Sequence, residues 1–287
     1  MRNTLKKLFN FYIKSSIHVA LAVVALAKIT LVRAEVEGGE LLLIFIFFAA
    51  LSAYNFIKFF SDFRHQNFTW KITPIRLLTA SSFLVSFSLL FSLPIEVLLI
   101  SILGSFLVVA YTVPFHSKLS NWRSRKGWKQ HLVVLSWLCL TVGMSLALAP
   151  QFDFFLFLYL CGIQGTYIFV ALLPFEIGDL STDAPNLQTL PQRFGVLKTK
   201  ILGLILLVIA ALFSCFTGGV ITPFGGSTLL IFFILGVLLF KSHPKQSFYY
   251  SRFLGRKPSP ILVGKYYFNS LFLNIFNLIC VMKQGHI

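Results

Sequence analysis

Along this chain the apolar residues gather into long blocks, each near the roughly 20 residues that a bilayer crossing needs, with polar residues confined to the joints. Nine such blocks are legible, at roughly 16–34, 39–60, 75–92, 94–113, 130–149, 153–175, 198–217, 220–240 and 260–281. They predict an all-α, polytopic membrane protein with nine transmembrane helices. Residues 1–15, opening MRNTLKKLFNFYIK, read as a cytoplasmic amphipathic segment suited to the membrane surface. Residues 16–287 read as one nine-helix transmembrane domain.

The polar joints orient these blocks. Lys and Arg crowd every second joint: Lys6 and Lys7, then Lys58, Arg64, Lys71 and Arg76, then the run from Lys118 to Lys129. The intervening joints hold Glu35, Glu37, Glu40, Glu96 and Asp153 with little beyond Arg33 and Lys283 to balance them. Basic residues mark the cytoplasmic side, which places the N-terminus in the cytoplasm and the C-terminus outside. The lack of an organelle transit pattern favours a bacterial inner (plasma) membrane. The outer joints are short, such as Ser92-Leu93-Pro94, whereas the inner ones are longer and polar. Loops on a rigid scaffold carry function more often than the scaffold does, so a site is expected on the cytoplasmic face.

Composition agrees with a membrane protein: 57% of the residues are hydrophobic and the mean hydropathy is +0.82, well outside the usual range for soluble domains. A formal net charge of +16 raises nucleic acid as a partner. No soluble basic domain exists to bind it, so the charge points instead to anionic lipid and phosphate. The four Cys are scattered through apolar blocks and make neither a metal spacing nor a disulfide framework. No Walker, Rossmann or zincin pattern is present. Lys28 stands inside the first block, where a charge is functional by default unless it snorkels.

One polar stretch stands apart. PFEIGDLSTD, Pro174 to Asp183, closes the sixth block and carries three of the nine acidic residues. Glu176, Asp179 and Asp183 are spaced i, i+3, i+7, which on a continued helix would align them on one face. Carboxylates bunched near a bilayer call for a cation or a cationic partner, and an oxygen-only set suits Mg²⁺. The plainer alternative is a solvated acidic helix end. The second block ends in a comparable polar extension, AYNFIKFFSDFRHQ, which hints at two pseudo-repeated halves.

With this motif, number of spans and orientation, the chain resembles the UbiA superfamily of intramembrane prenyltransferases. The second acidic motif of that family, D-x-x-x-D with an acid three residues earlier, is matched by Glu176, Asp179 and Asp183. The family's Tyr-x-x-Pro segment and its basic follow-on are matched by Tyr111, Pro114, Lys118 and Arg123. The first motif, N-D-x-x-D-x-x-x-D, keeps Asn55 but has Phe56, Phe59 and Phe63 at the acidic positions, with Asp62 one residue out of register. Asn55, Lys58 and Asp62 share a helix face; Lys58 could pair with Asp62 or reach a phosphate itself.

The resemblance implies a UbiA-like helix bundle and transfer of a polyisoprenoid group from its diphosphate to a small acceptor, an aromatic one in quinone or pigment chemistry. Asp179 and Asp183 would be catalytic and, with Glu176, would hold Mg²⁺. Asn55, Lys58, Asp62, Tyr111, Lys118 and Arg123 would bind substrate. The implied partners are an isoprenoid diphosphate, the acceptor and the lipid bilayer, with no nucleic acid. The damaged first motif keeps a second reading open: a non-catalytic relative that binds lipid or scaffolds a membrane complex. A transporter would be expected to show matched Gly/Pro breaks in paired spans, which this sequence lacks.

Overall fold

The computed structural model describes residues 8, 11–64, 73–114, 122–124, 126–181, 183–218 and 223–244. Among them the architecture is helical throughout, and each of the first eight apolar blocks forms a helix. The helices are α1 (Ile17–Arg33), α2 (Glu40–Arg64), α3 (Pro74–Leu90), α4 (Ile95–Thr112), α5 (Trp128–Leu146), α6 (Phe154–Gly178), α7 (Leu190–Gly218) and α8 (Pro223–Lys241). Among the described residues five stretches are long and apolar enough to cross a membrane: Glu40–Phe60, Ile95–Thr112, Trp128–Leu146, Phe154–Gly178 and Leu190–Cys215. The chain is thus a helical membrane protein. The ninth block, 260–281, lies outside the described residues.

Local chemistry sets the helix ends. Thr73 caps α3 by accepting from Arg76 N at 3.4 Å, and Pro74 follows at a position whose N–H no helix uses. Asp153 caps α6, its Oδ1 accepting from Phe155 N at 2.8 Å and Leu156 N at 3.1 Å. Its acidity, read from sequence as a mark of the outer side, is here a helix cap. Val113 turns extended ahead of Pro114 and stops α4.

The chain forms two compact units, Met1–Gly165 and Thr166–Ile287, dividing within α6. In the first, α1 lays Ala20, Val23, Ala27 and Leu31 against Leu42, Phe45, Ile46 and Ala50 of α2, with Val97 of α4 and Met144 of α5 completing the core. The α1–α2 turn is tight enough that a Cβ on Gly39 would stand 2.6 Å from Leu31 Cδ1. Lys28 does not stand alone there: its Nζ lies 3.9 Å from Glu40 Oε1. Helix α5 contains a π-helical segment over Cys139–Gly143, which the hydropathy pattern does not foretell.

In the second unit, α7 begins well before the predicted residue 198. It runs from Leu190 with a break at Gly195, where φ is +80°. A Cβ on Gly203 would come within 2.5 Å of Leu239 Cδ2 and 2.8 Å of Leu173 Cδ1, so α6, α7 and α8 converge on this glycine. Lys200 Nζ donates to Phe240 O at 2.7 Å and satisfies a carbonyl at the end of α8.

Candidate functional site

The acidic stretch begins on α6 and leaves it. Pro174 lies inside the helix and removes a backbone donor just ahead of Glu176. The helix ends at Gly178. Beyond it the chain continues in a turn, with Asp179 N donating to Phe175 O at 2.9 Å and Asp183 N to Asp179 O at 2.8 Å, each to the carbonyl four residues earlier. Glu176 thus lies on the last turn of α6, with Asp179 and Asp183 in the turn that follows it. Glu176 is only 3% exposed, whereas Asp179 and Asp183 are half-buried. Burial at that level rules out a simple solvated helix end for Glu176, because a desolvated carboxylate costs several kcal/mol unless donors or a cation oppose it.

Gln192 ties the stretch to the start of α7. Its Oε1 accepts from Thr189 N at 3.0 Å, and its Nε2 donates to Asp183 O at 3.3 Å and Ala184 O at 3.2 Å. This resembles half of a capping box extended backwards onto the loop. Gln192 lies six residues ahead of the predicted start at 198, so the hydropathy pattern carries no signal of this cap. Magnesium fits the donor chemistry of three carboxylates, yet among the described residues no group of three or more His, Cys, Asp or Glu is placed to hold a metal ion.

The end of α2 is built differently. Asn55 is fully buried; its Nδ2 donates to Ser15 O at 3.0 Å and its Oδ1 accepts from Ser16 Oγ at 3.1 Å. Lys58 Nζ donates to Ser16 Oγ at 2.6 Å and to Lys14 O at 3.1 Å. Ser16 needs such help, because it sits at φ +63° in a left-handed turn between the helical residues 11–14 and α1. Phe59, at a position where the family motif carries an acid, offers its ring to Arg76, whose Cζ lies 5.6 Å from the centroid. Asn55 thus bonds across to a neighbouring segment, as a polar residue at a span end is apt to do, and Lys58 joins it on the same turn. Asp62 lies on the last turn of α2, with its side chain outside the described set.

A third group sits after α4. Arg123, on a 3₁₀ turn over Trp122–Ser124, places its Cζ 5.4 Å from the ring centroid of Tyr111 in the last turn of α4. Trp122 holds that turn in place by edge contacts to Phe106 and Trp128, each at 6.1 Å. Tyr111 and Arg123 are thereby packed together, with a guanidinium resting on an aromatic face. Lys118 lies outside the described residues. In comparisons with known proteins, no family model, no curated protein and no solved structure matches this chain.

Proposed function

We propose that this chain is a UbiA-like prenyltransferase with nine spans and a cytoplasmic N-terminus in a bacterial plasma membrane. It would transfer a polyisoprenoid group from its diphosphate to an aromatic acceptor. The observation that carries the reading is Glu176: a carboxylate 3% exposed at the end of a long apolar helix, followed directly by Asp179 and Asp183. Intramembrane acids at such ends mark substrate or ion sites by default. The Tyr111–Arg123 pair supports it, because a guanidinium is a fitting partner for phosphate oxygens.

In this proposal the bond to break is the allylic C–O bond, and the electron pair leaves with pyrophosphate. Arg123 and Lys118 stabilise the charge gathering on the leaving group through charge-assisted hydrogen bonds. The aromatic face of Tyr111 faces the cationic carbon fragment and helps keep water from it. The acceptor ring then supplies the electrons for the new C–C bond and loses a proton.

The test is release of pyrophosphate from a radiolabelled allylic diphosphate in proteoliposomes, with and without Mg²⁺, comparing wild type with Asp179→Ala and Arg123→Ala. Turnover that both variants lose supports transfer. Absence of turnover across chain lengths and acceptors, from folded protein, sinks it. The second reading, a non-catalytic lipid-binding relative, draws on one observation: Asn55 and Lys58 are engaged by the N-terminal segment.

A further inference from the structure

Among the buried polar side chains of the first unit whose atoms find no hydrogen-bond partner among the described residues are Gln164 and Thr141. Gln164 is 3% exposed, and its Nε2 donates to Leu26 O at 3.2 Å and Thr30 Oγ1 at 2.9 Å, both on α1. A backbone carbonyl only accepts, so the contact with Leu26 O fixes which end of the amide faces α1. Oε1 points elsewhere and is without a hydrogen-bond partner among the described residues. Thr141, fully buried in the π-helical segment of α5, has an Oγ1 in the same condition.

Thr141, like Ser82 in α3, departs from most helix hydroxyls of this unit. Thr30, Ser101, Thr112 and Ser136 each donate to the carbonyl four residues earlier, the usual refuge for a hydroxyl in an apolar helix. The π turn widens the local register and moves that acceptor, leaving the hydroxyl to another partner. π segments within α-helices are concentrated at functional sites for this reason.

The helices that carry the two residues meet α1 at adjacent positions. Ser145, one turn after Thr141, donates to Ala27 O at 3.4 Å, next to the Leu26 carbonyl that Gln164 reaches. On the other flank, a Cβ on Gly165 would meet Leu138 Cδ1 at 3.6 Å, one turn before Thr141. We infer that Gln164 and Thr141 form a membrane-embedded binding site for a hydroxyl group. The ligand O–H donates to Gln164 Oε1 and its oxygen accepts from the Thr141 hydroxyl. An anion is disfavoured, because it would meet the lone pairs of Oε1. A bound water and a hydroxylated ring entering from the bilayer present the same chemistry. The site belongs to the first unit and stands or falls independently of any reaction at the acidic stretch.

Substituting Thr141→Val keeps the shape and removes the hydroxyl, so the sign of its effect decides. For the full chain in lipid nanodiscs, a bound hydroxyl predicts a melting temperature lowered by roughly 2–4 °C. An unchanged or raised melting temperature overturns the site, since a methyl in place of an orphaned hydroxyl relieves a desolvation cost. Adding 4-methylphenol, with toluene as the control, separates the sources. Stabilisation by 4-methylphenol beyond toluene, lost in Thr141→Val, identifies a ring; equal responses with the lowered melting temperature identify water. An experimental map of the wild-type chain reads the site directly, even where the variant does not fold. It must show an oxygen-sized feature within hydrogen-bond reach of Gln164 Oε1, and carbon alone at that position overturns the inference.

Discussion

The ends of α2 and α6 are two places where polar side chains interrupt long apolar helices, and they use those side chains in opposite ways. At the end of α2, Asn55 and Lys58 spend their hydrogen bonds on Ser15, Ser16 and Lys14, so the side chains hold the chain. At the end of α6 the loop backbone is held instead, by Gln192 on the carbonyls of Asp183 and Ala184. Changes at the first place should therefore register in stability, and changes at the second in chemistry.

The largest effect expected is on turnover. Under the proposed function, Asp179→Ala lowers allylic diphosphate turnover on the order of 10²-fold or more, the scale of losing an electrostatic contributor to a transition state. Its melting temperature stays close to wild type, because Asp179 is half-buried and follows the end of the helix. A large melting shift with turnover per folded molecule preserved would erase the contrast between the two helix ends.

Asn55→Ala comes next. It removes two buried hydrogen bonds and strands the carbonyl of Ser15, for a loss of about 2–3 kcal/mol in a denaturant titration of the solubilised chain. A loss under about 0.5 kcal/mol would mean that the N-terminal segment is held by its apolar contacts, with Ile13 the buried residue to examine. Gly203→Ala supplies the control inside the second unit. Its Cβ would overlap Leu239 and Leu173, costing about 1–2 kcal/mol, with turnover per folded molecule unchanged. Should turnover collapse with Gly203→Ala, the acidic stretch would depend on α7 and α8 packing more than its own hydrogen bonds indicate.

Hydropathy alone located eight helices within a few residues at most ends, because a lipid-sized apolar run leaves a chain little choice but a helix. Two departures have local causes that periodicity does not register. The start of α7 at Leu190 depends on the Gln192 cap and on a glycine break at Gly195 that lets polar residues precede the apolar run. The π segment in α5 adds a residue to a turn without altering composition. At the candidate site, the acidic stretch was legible as a cluster, but the end of the helix at Gly178, inside it, was not. Asn55 and Lys58 were legible as polar residues on one helix face. Their partners lie some forty positions earlier in the chain, a pairing no local pattern reports. Gln164 shows the same limit more sharply, since a lone Gln in an apolar block gives no hint that it bonds to α1.

The smallest effect bears on the same comparison from the exposed side. Lys58 is exposed, so its bonds to Ser16 Oγ and Lys14 O compete with solvent and contribute about 0.5–1 kcal/mol, less than Asn55 does. Lys58→Met keeps most of the aliphatic stem and removes the ammonium. Global unfolding should hardly move, yet the turn at Ser15–Ser16 should open more often, and a free energy of that size corresponds to about two- to fivefold in the open population. Limited trypsin cleavage after Lys14, followed by mass spectrometry of the released N-terminal peptide, reads that population directly. Cleavage should quicken by about that factor in Lys58→Met, more steeply in Asn55→Ala, and not at all in Asp179→Ala. If Lys58→Met cleaves at the wild-type rate, the lysine contributes nothing to the latch. Its ammonium would then be available for an anionic substrate, and the end of α2 would come to resemble the end of α6 in being kept for chemistry.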